Sequence, residues 1–226
     1  MLYLKRIISV FWEPSKTFSS IKERVSWLDF LIPFLVVVIV SLATIPYVTP
    51  IAVKEQVARI EKSDKIPESR KEEIIERIES NPVGVRSYII SPIVIGVSIL
   101  ITALLIQLVA NFILGGEVKF LSAVAIYSYA NLVGVLGYLV KVPLMVSRGT
   151  TKVYTSLAVF LEPSGTFIFR FFNAVDVFTV WKVLLIGFGV GIFTGVKPSK
   201  AISVMLVAWL VLALILAGLS SLSPVF

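Results

Sequence analysis

The sequence contains no cysteine and no histidine. The first absence excludes disulfides and thiolate chemistry. The second removes the commonest metal ligand and the commonest general base. Zinc sites and Ser-His-Asp or Cys-His catalysis therefore cannot be assembled within this chain, and no cofactor is expected. Charge is scarce as well. Asp, Glu, Lys and Arg make up 15% of the residues, where an ordinary globular domain has about 25%. No polar block is long enough to bury a core of its own; the longest runs from Pro50 to Ser87.

What is present instead is apolar: 57% of the 226 residues, gathered into long blocks nearly free of charge. Crossing about 30 Å of hydrocarbon takes roughly 20 apolar residues, and five blocks meet that length, at about 27–48, 88–114, 120–146, 177–196 and 201–222. Their apolar residues run continuously without alternation, which indicates helices rather than barrel strands. The expected fold is an all-α polytopic membrane bundle of five transmembrane helices. Gly115-Gly116-Glu117 makes a tight turn between spans two and three, and Val196 to Lys200 makes one between spans four and five. The link from Ser147 to Ala174 holds two apolar pieces, 153–161 and 167–172, too broken for a sixth span. It reads as re-entrant or interfacial.

Residues 1–26 do not read as a cleavable signal peptide. Leu4, Ile7, Ile8 and Phe11 share one helical face, and Phe18, Ile21 and Val25 form a second pattern beyond Pro14. Lys5, Arg6, Lys16, Lys22 and Arg24 are expected as interfacial basic residues, with the segment lying on an anionic leaflet; the alternative is a cap packed on the bundle. Residues 50–87 read as a charged extramembrane helical hairpin that breaks at Asp64 to Pro67. The pairs Glu55/Arg59, Glu61/Lys65 and Glu73/Arg77 sit four apart and support helix. A solvated spacer is the preferred reading, a docking surface the other.

The formal net charge is +7, and the basic residues that produce it mostly flank apolar blocks. That placement points to anionic lipid head groups and away from nucleic acid. The N-terminal basic residues, with Lys197 and Lys200, predict a cytoplasmic N-terminus and an outer C-terminus in the cell membrane. A homo-oligomer or a membrane-protein partner is left open.

Gly187, Gly191 and Gly195 repeat every four residues in span four, with Gly189 between. Such small residues let helix backbones approach closely; Ala130 and Gly134 in span three, or Ala213 and Ala217 in span five, are candidate partners. Charges inside a span are the default functional candidates, because burying one in lipid costs several kcal/mol. Asp29 and Asp176 lie at span mouths, and Lys141 and Lys182 lie one to two turns from span ends. Lys141 is the better-placed partner for Asp176, but separate interfacial anchoring is the expectation. Gln107, Asn111, Tyr127, Tyr129, Asn131 and Asn173 are the uncharged polar side chains that would line a pathway or bond between helices.

Two stretches resemble the Yip family of five-span membrane proteins, in its prokaryotic form. Pro14, Phe18, Ile21, Lys22 and Trp27 fit its P-x-x-x-F-x-x-I-K…W opening, and Asp176, Phe178, Trp181 and Leu185 fall in the stretch similar to its span-four signature D-x-F-x-x-W. The resemblance implies a Yip-type domain over 27–226. Eukaryotic members bind small GTPases and shape membranes; their long acidic N-terminal region has no counterpart here, which argues against GTPase binding. The resulting expectation is a non-catalytic membrane-organising or partner-binding protein. The alternative is a transporter or channel subunit with polar groups between spans two, three and four.

Overall fold

The computed structural model describes residues 2–63, 66–80 and 85–222. These residues are helical almost throughout, and five helices are long and apolar enough to cross a membrane. The chain runs α1 (Leu2–Ser9), α2 (Pro14–Glu23), α3 (Leu28–Glu61), α4 (Glu68–Glu79) and α5 (Val85–Leu108), which continues as a π-helical turn, Val109–Ile113. It then runs α6 (Phe120–Asn131), α7 (Val133–Arg148), a 3₁₀ turn (Leu157–Phe160), α8 (Phe167–Ala174), α9 (Val177–Thr194) and α10 (Pro198–Leu222). Span one is the first part of α3; spans two, four and five are α5, α9 and α10; span three is α6 and α7 together, interrupted at Leu132. Five alternating crossings place α1, α2 and the two tight turns at one end of the bundle, called the near end below. The charged arm and the link between α7 and α9 lie at the far end.

Span three is the axis. The apolar window of α6–α7 is 61% buried, whereas those of α5 and α10 are each 17% buried. Composition explains this. Ser122, Ala123, Ala125, Ser128 and Ala130 are all buried, and such short side chains let four neighbouring helices come close without a hydrophobic driving force between helices and lipid. The outer helices turn large apolar side chains such as Ile93, Ile101, Leu212 and Leu216 outward. In water such a surface would aggregate; in hydrocarbon it is solvated.

The glycines of span four close-pack, though with partners other than those expected. A Cβ on Gly187 would stand 2.6 Å from the Ile202 Cα, and one on Gly191 would stand 3.1 Å from the Pro198 Cα. Both therefore serve the α9–α10 contact. Gly189 faces span three instead, where a Cβ would fall 2.7 Å from the Ile126 Cγ2. Gly195 does not pack at all. Its φ is +77° and nothing approaches within 4 Å, so it is the left-handed residue that ends α9. Gly134 likewise meets no glycine of span four; the nearest atom to a Cβ placed on it would be the Asn131 Oδ1 at 4.0 Å.

The arm differs from the expected solvated spacer. Its first helix is the unbroken end of α3, whose 34 residues reach about 51 Å, well beyond a bilayer core. α4 packs against that end, with the Lys71 Nζ donating to the Glu61 carbonyl at 2.9 Å. Glu55 forms no ion pair with Arg59, nor Glu73 with Arg77; the Glu61/Lys65 pair lies outside the described residues. Glu55 instead accepts the Thr151 amide at 3.0 Å and the hydroxyls of Thr150 and Thr151. The arm is thereby tied to the far-end link rather than left as a spacer.

Thermal unfolding in detergent checks the glycine assignments. Gly187→Leu must push α10 away and is expected to cost at least about 1–3 kcal/mol, with Gly191→Leu milder. Gly134→Ala has room and should be neutral or stabilise by up to about 1 kcal/mol. Equal effects at Gly187 and Gly134 would refute the assignment.

Candidate functional site

The N-terminal segment is not laid on the leaflet apart from the bundle. Pro14 opens α2 at a position that needs no amide donor. The helix that follows buries Phe18 and Ile21 completely. Phe18 fits beside Gly189, and Phe11 meets Trp181 edge-on at 5.9 Å between ring centroids. The two motif stretches, far apart in sequence, thus meet along α9. Lys22 donates to the Ile192 carbonyl at 2.7 Å, placing a cation at the negative end of that helix. Of the five residues expected as interfacial cations, Arg6 is the clear exception, at 4% exposed. Trp27, by contrast, is exposed at the mouth of α3.

Arg6 is buried because Asp29 is. Asp29 is 0% exposed in the first turn of α3, where it accepts the Ser26 amide at 2.9 Å. The Arg6 Nη1 reaches its Oδ1 at 2.7 Å, and the Tyr129 hydroxyl donates to the same oxygen at 3.2 Å. The Nε and Nη2 donors go to the Ser20 hydroxyl at 3.2 and 3.0 Å, and Nη2 also to the Ser20 carbonyl. One guanidinium therefore joins α1, α2, α3 and, through Tyr129, span three. Each guanidinium nitrogen donates at least once and both Asp29 oxygens accept, the kind of satisfaction under which a buried pair is tolerated.

A second polar group of side chains lies toward the far end. Asp176 caps α9, accepting the Phe178 amide at 2.9 Å. Its other oxygen binds the Lys141 Nζ at 2.8 Å and the Thr155 hydroxyl. The expected separate anchoring of Asp176 and Lys141 is thus replaced by a pair, beside the stretch just before the 3₁₀ turn, where Thr155 and Ser156 lie back against Asp176. Lys182, a turn and a half into α9, has no carboxylate within ion-pair distance among the described residues. Its ammonium makes a long contact, 3.4 Å, to the Asn131 Oδ1 and stands 5.7 Å from the centre of the Tyr127 ring. These groups surround a cavity of about 370 Å³ between spans one to four, to which Ser98 and Tyr138 also contribute.

Three other expected members lie elsewhere. Gln107 and Asn111 donate to the Val118 carbonyl at 3.0 and 3.1 Å, stapling the turn between spans two and three. The π-helical turn sets up this staple, and nothing in the sequence pattern announced it. Asn173 sits exposed in the far-end link, accepting from the Ser156 hydroxyl at 3.0 Å. Sequence reasoning missed the Arg6–Asp29 pair. The available signal was a lone carboxylate at a span mouth, which requires a cation from somewhere.

A family model described as the Yip1 domain matches residues 8–219. No curated protein and no solved structure gives a significant match.

Removing one partner of the buried pair leaves an uncompensated charge, so Arg6→Leu is expected to destabilise the protein by about 3–5 kcal/mol. Replacing both partners, in Arg6→Leu/Asp29→Leu, should recover most of that loss. Thermal unfolding in detergent reads both. A single variant as stable as the parent would mean that the pair does not hold the N-terminal helices in place.

Proposed function

The chain belongs to the Yip1 domain family, and from that premise we propose that it is a non-catalytic, membrane-organising protein whose N-terminal helices act as a wedge fixed in one leaflet. The observation that carries this reading is the two-sided character of α1 and its corner. One side is locked to the bundle through Arg6 and Val10, both buried, while Leu4, Ile8 and Trp12 point outward at 64%, 57% and 78% exposure. A free amphipathic helix can slide or leave the membrane. A helix tied to five spans by a buried ion pair cannot, so its volume is added to one side of the bilayer only. The near end is the cytoplasmic side in this reading, in keeping with Lys5, Lys16 and Arg24 and with the basic turn Lys197 to Lys200. The two carboxylates at the span mouths, Asp29 and Asp176, are each committed to an ion pair, which leaves neither as a free acid or base and supports a non-catalytic role.

The far-end cavity favours a second reading, transport of a small solute. Against it stands the layer below the cavity. Ile126, Ser128, Tyr129, Leu132, Val133 and Val190 are each at most 1% exposed, so the polar space has no continuation toward the near end through them.

Reconstitution into vesicles tests the wedge. The parent protein is expected to shift the vesicle size distribution, seen by cryo-electron microscopy, toward smaller diameters, and Leu4→Ser/Ile8→Ser/Trp12→Ser should lose that shift without losing the fold. Identical distributions for parent and variant would overturn the proposal, as would solute flux through the parent in sealed vesicles.

A further inference from the structure

The far-end cavity does not end at Lys182. On the other side of the same residue lies an apolar groove of about 470 Å³ between spans two, four and five, lined by Leu105, Ile106, Met205, Trp209, Leu212 and Ile215. Tyr127, Thr179 and Lys182 line both spaces. A polar chamber and an apolar channel therefore share one neck, and the neck holds a cation.

Charge decides what fits. Among the described residues, three acidic or basic side chains line the chamber: Lys141, Asp176 and Lys182. The first two cancel at 2.8 Å. Lys182 is left without a carboxylate partner among the described residues, in a low-dielectric setting, against a neutral amide and an aromatic face. An isolated ammonium inside a span is unfavourable by several kcal/mol unless an anion meets it. The groove meanwhile is bounded by the outward faces of α5 and α10, which meet acyl chains in any bilayer, and its volume falls in the range of roughly 300–1,000 Å³ typical of small-molecule sites.

We propose that this neck binds one anionic glycerophospholipid, with its phosphate on the Lys182 ammonium, its head group in the polar chamber and one acyl chain in the groove. A phosphate supplies the missing negative charge and several acceptors for Lys182 and for the Thr179 hydroxyl. A zwitterionic lipid would satisfy Lys182 equally but would bring a further cationic group into a chamber that already holds two lysines. The preference for net negative charge follows from that repulsion. The site stands independently of the leaflet wedge, since it lies at the opposite end of the bundle and shares no residue with it.

Native mass spectrometry of the full chain, released from micelles doped with phosphatidylglycerol or phosphatidylcholine, tests this. The expected result is one retained phosphatidylglycerol per chain, bound about tenfold or more tightly than phosphatidylcholine. Lys182→Met should abolish the preference and Lys182→Arg should keep it. Ala208→Phe, which fills the groove while leaving Lys182 intact, should reduce retention of both lipids and carries the test if Lys182→Met does not fold. Equal retention of the two lipids by the parent, an unchanged preference in Lys182→Met, or a dimer mass with no bound lipid would each overturn the proposal; the last would mean that a second copy of the chain fills the groove.

Discussion

A charge taken into hydrocarbon has to be answered by the protein itself, and the bond between Arg6 and Asp29 is where this chain meets that requirement most fully. Asp29 sits wholly buried at the start of span one. Left alone there it would be untenable. The cation that answers it comes from a short helix that has too few residues to cross the membrane. Once Arg6 reaches Asp29, α1 can no longer float on head groups. Val10, Phe18 and Ile21 are drawn into the core with it, and the Phe11 ring arrives against Trp181. The ordering of the whole near end follows from one ionic contact and the hydroxyls that complete it.

The two ends of the bundle treat polarity differently. At the near end several polar side chains close on partners within the chain: Arg6 on Asp29 and Ser20, Gln107 and Asn111 on Val118, Lys22 on the end of α9. The result is a sealed layer with Tyr129 at its centre. Around the far-end cavity Asp176 and Lys141 are matched, while Lys182 has no carboxylate partner among the described residues and faces space on both sides. Span three makes this possible, because its small residues pack the near half tightly while its break at Leu132 and the glycines 134 and 137 open the far half.

The spans were readable from sequence because lipid imposes a length, and an uncharged block of 20 or more residues can meet it in few other ways. The extent of α3 was not, since its charged last turns look like a separate element until continuous helix is seen to run through Pro46 and Pro50. Close packing at Gly187 and Gly191 was readable, but not the direction of it: glycine shows that something comes near, while the tight turn at Pro198 decides that α10 is what does. Gly195 belonged to a different rule, that of the left-handed helix end. The Asp176–Lys141 contact was half visible, as a plausible pair whose geometry depends on a fold-back at Thr155 and Ser156 that no periodicity encodes. Arg6 was hidden among four other basic residues of the same segment, because surface and buried cations look alike until their partner, 23 positions away, is placed.

The docking of the N-terminal helices along span four can be measured directly. The chain has no cysteine of its own, so a pair introduced as Phe11→Cys and Trp181→Cys can be probed in native membranes with a short bifunctional thiol reagent. An intramolecular bridge within single chains is expected, and its loss when Arg6→Leu is added. Two thiols that react singly but never bridge would contradict it, returning the N-terminal segment to the surface of the leaflet.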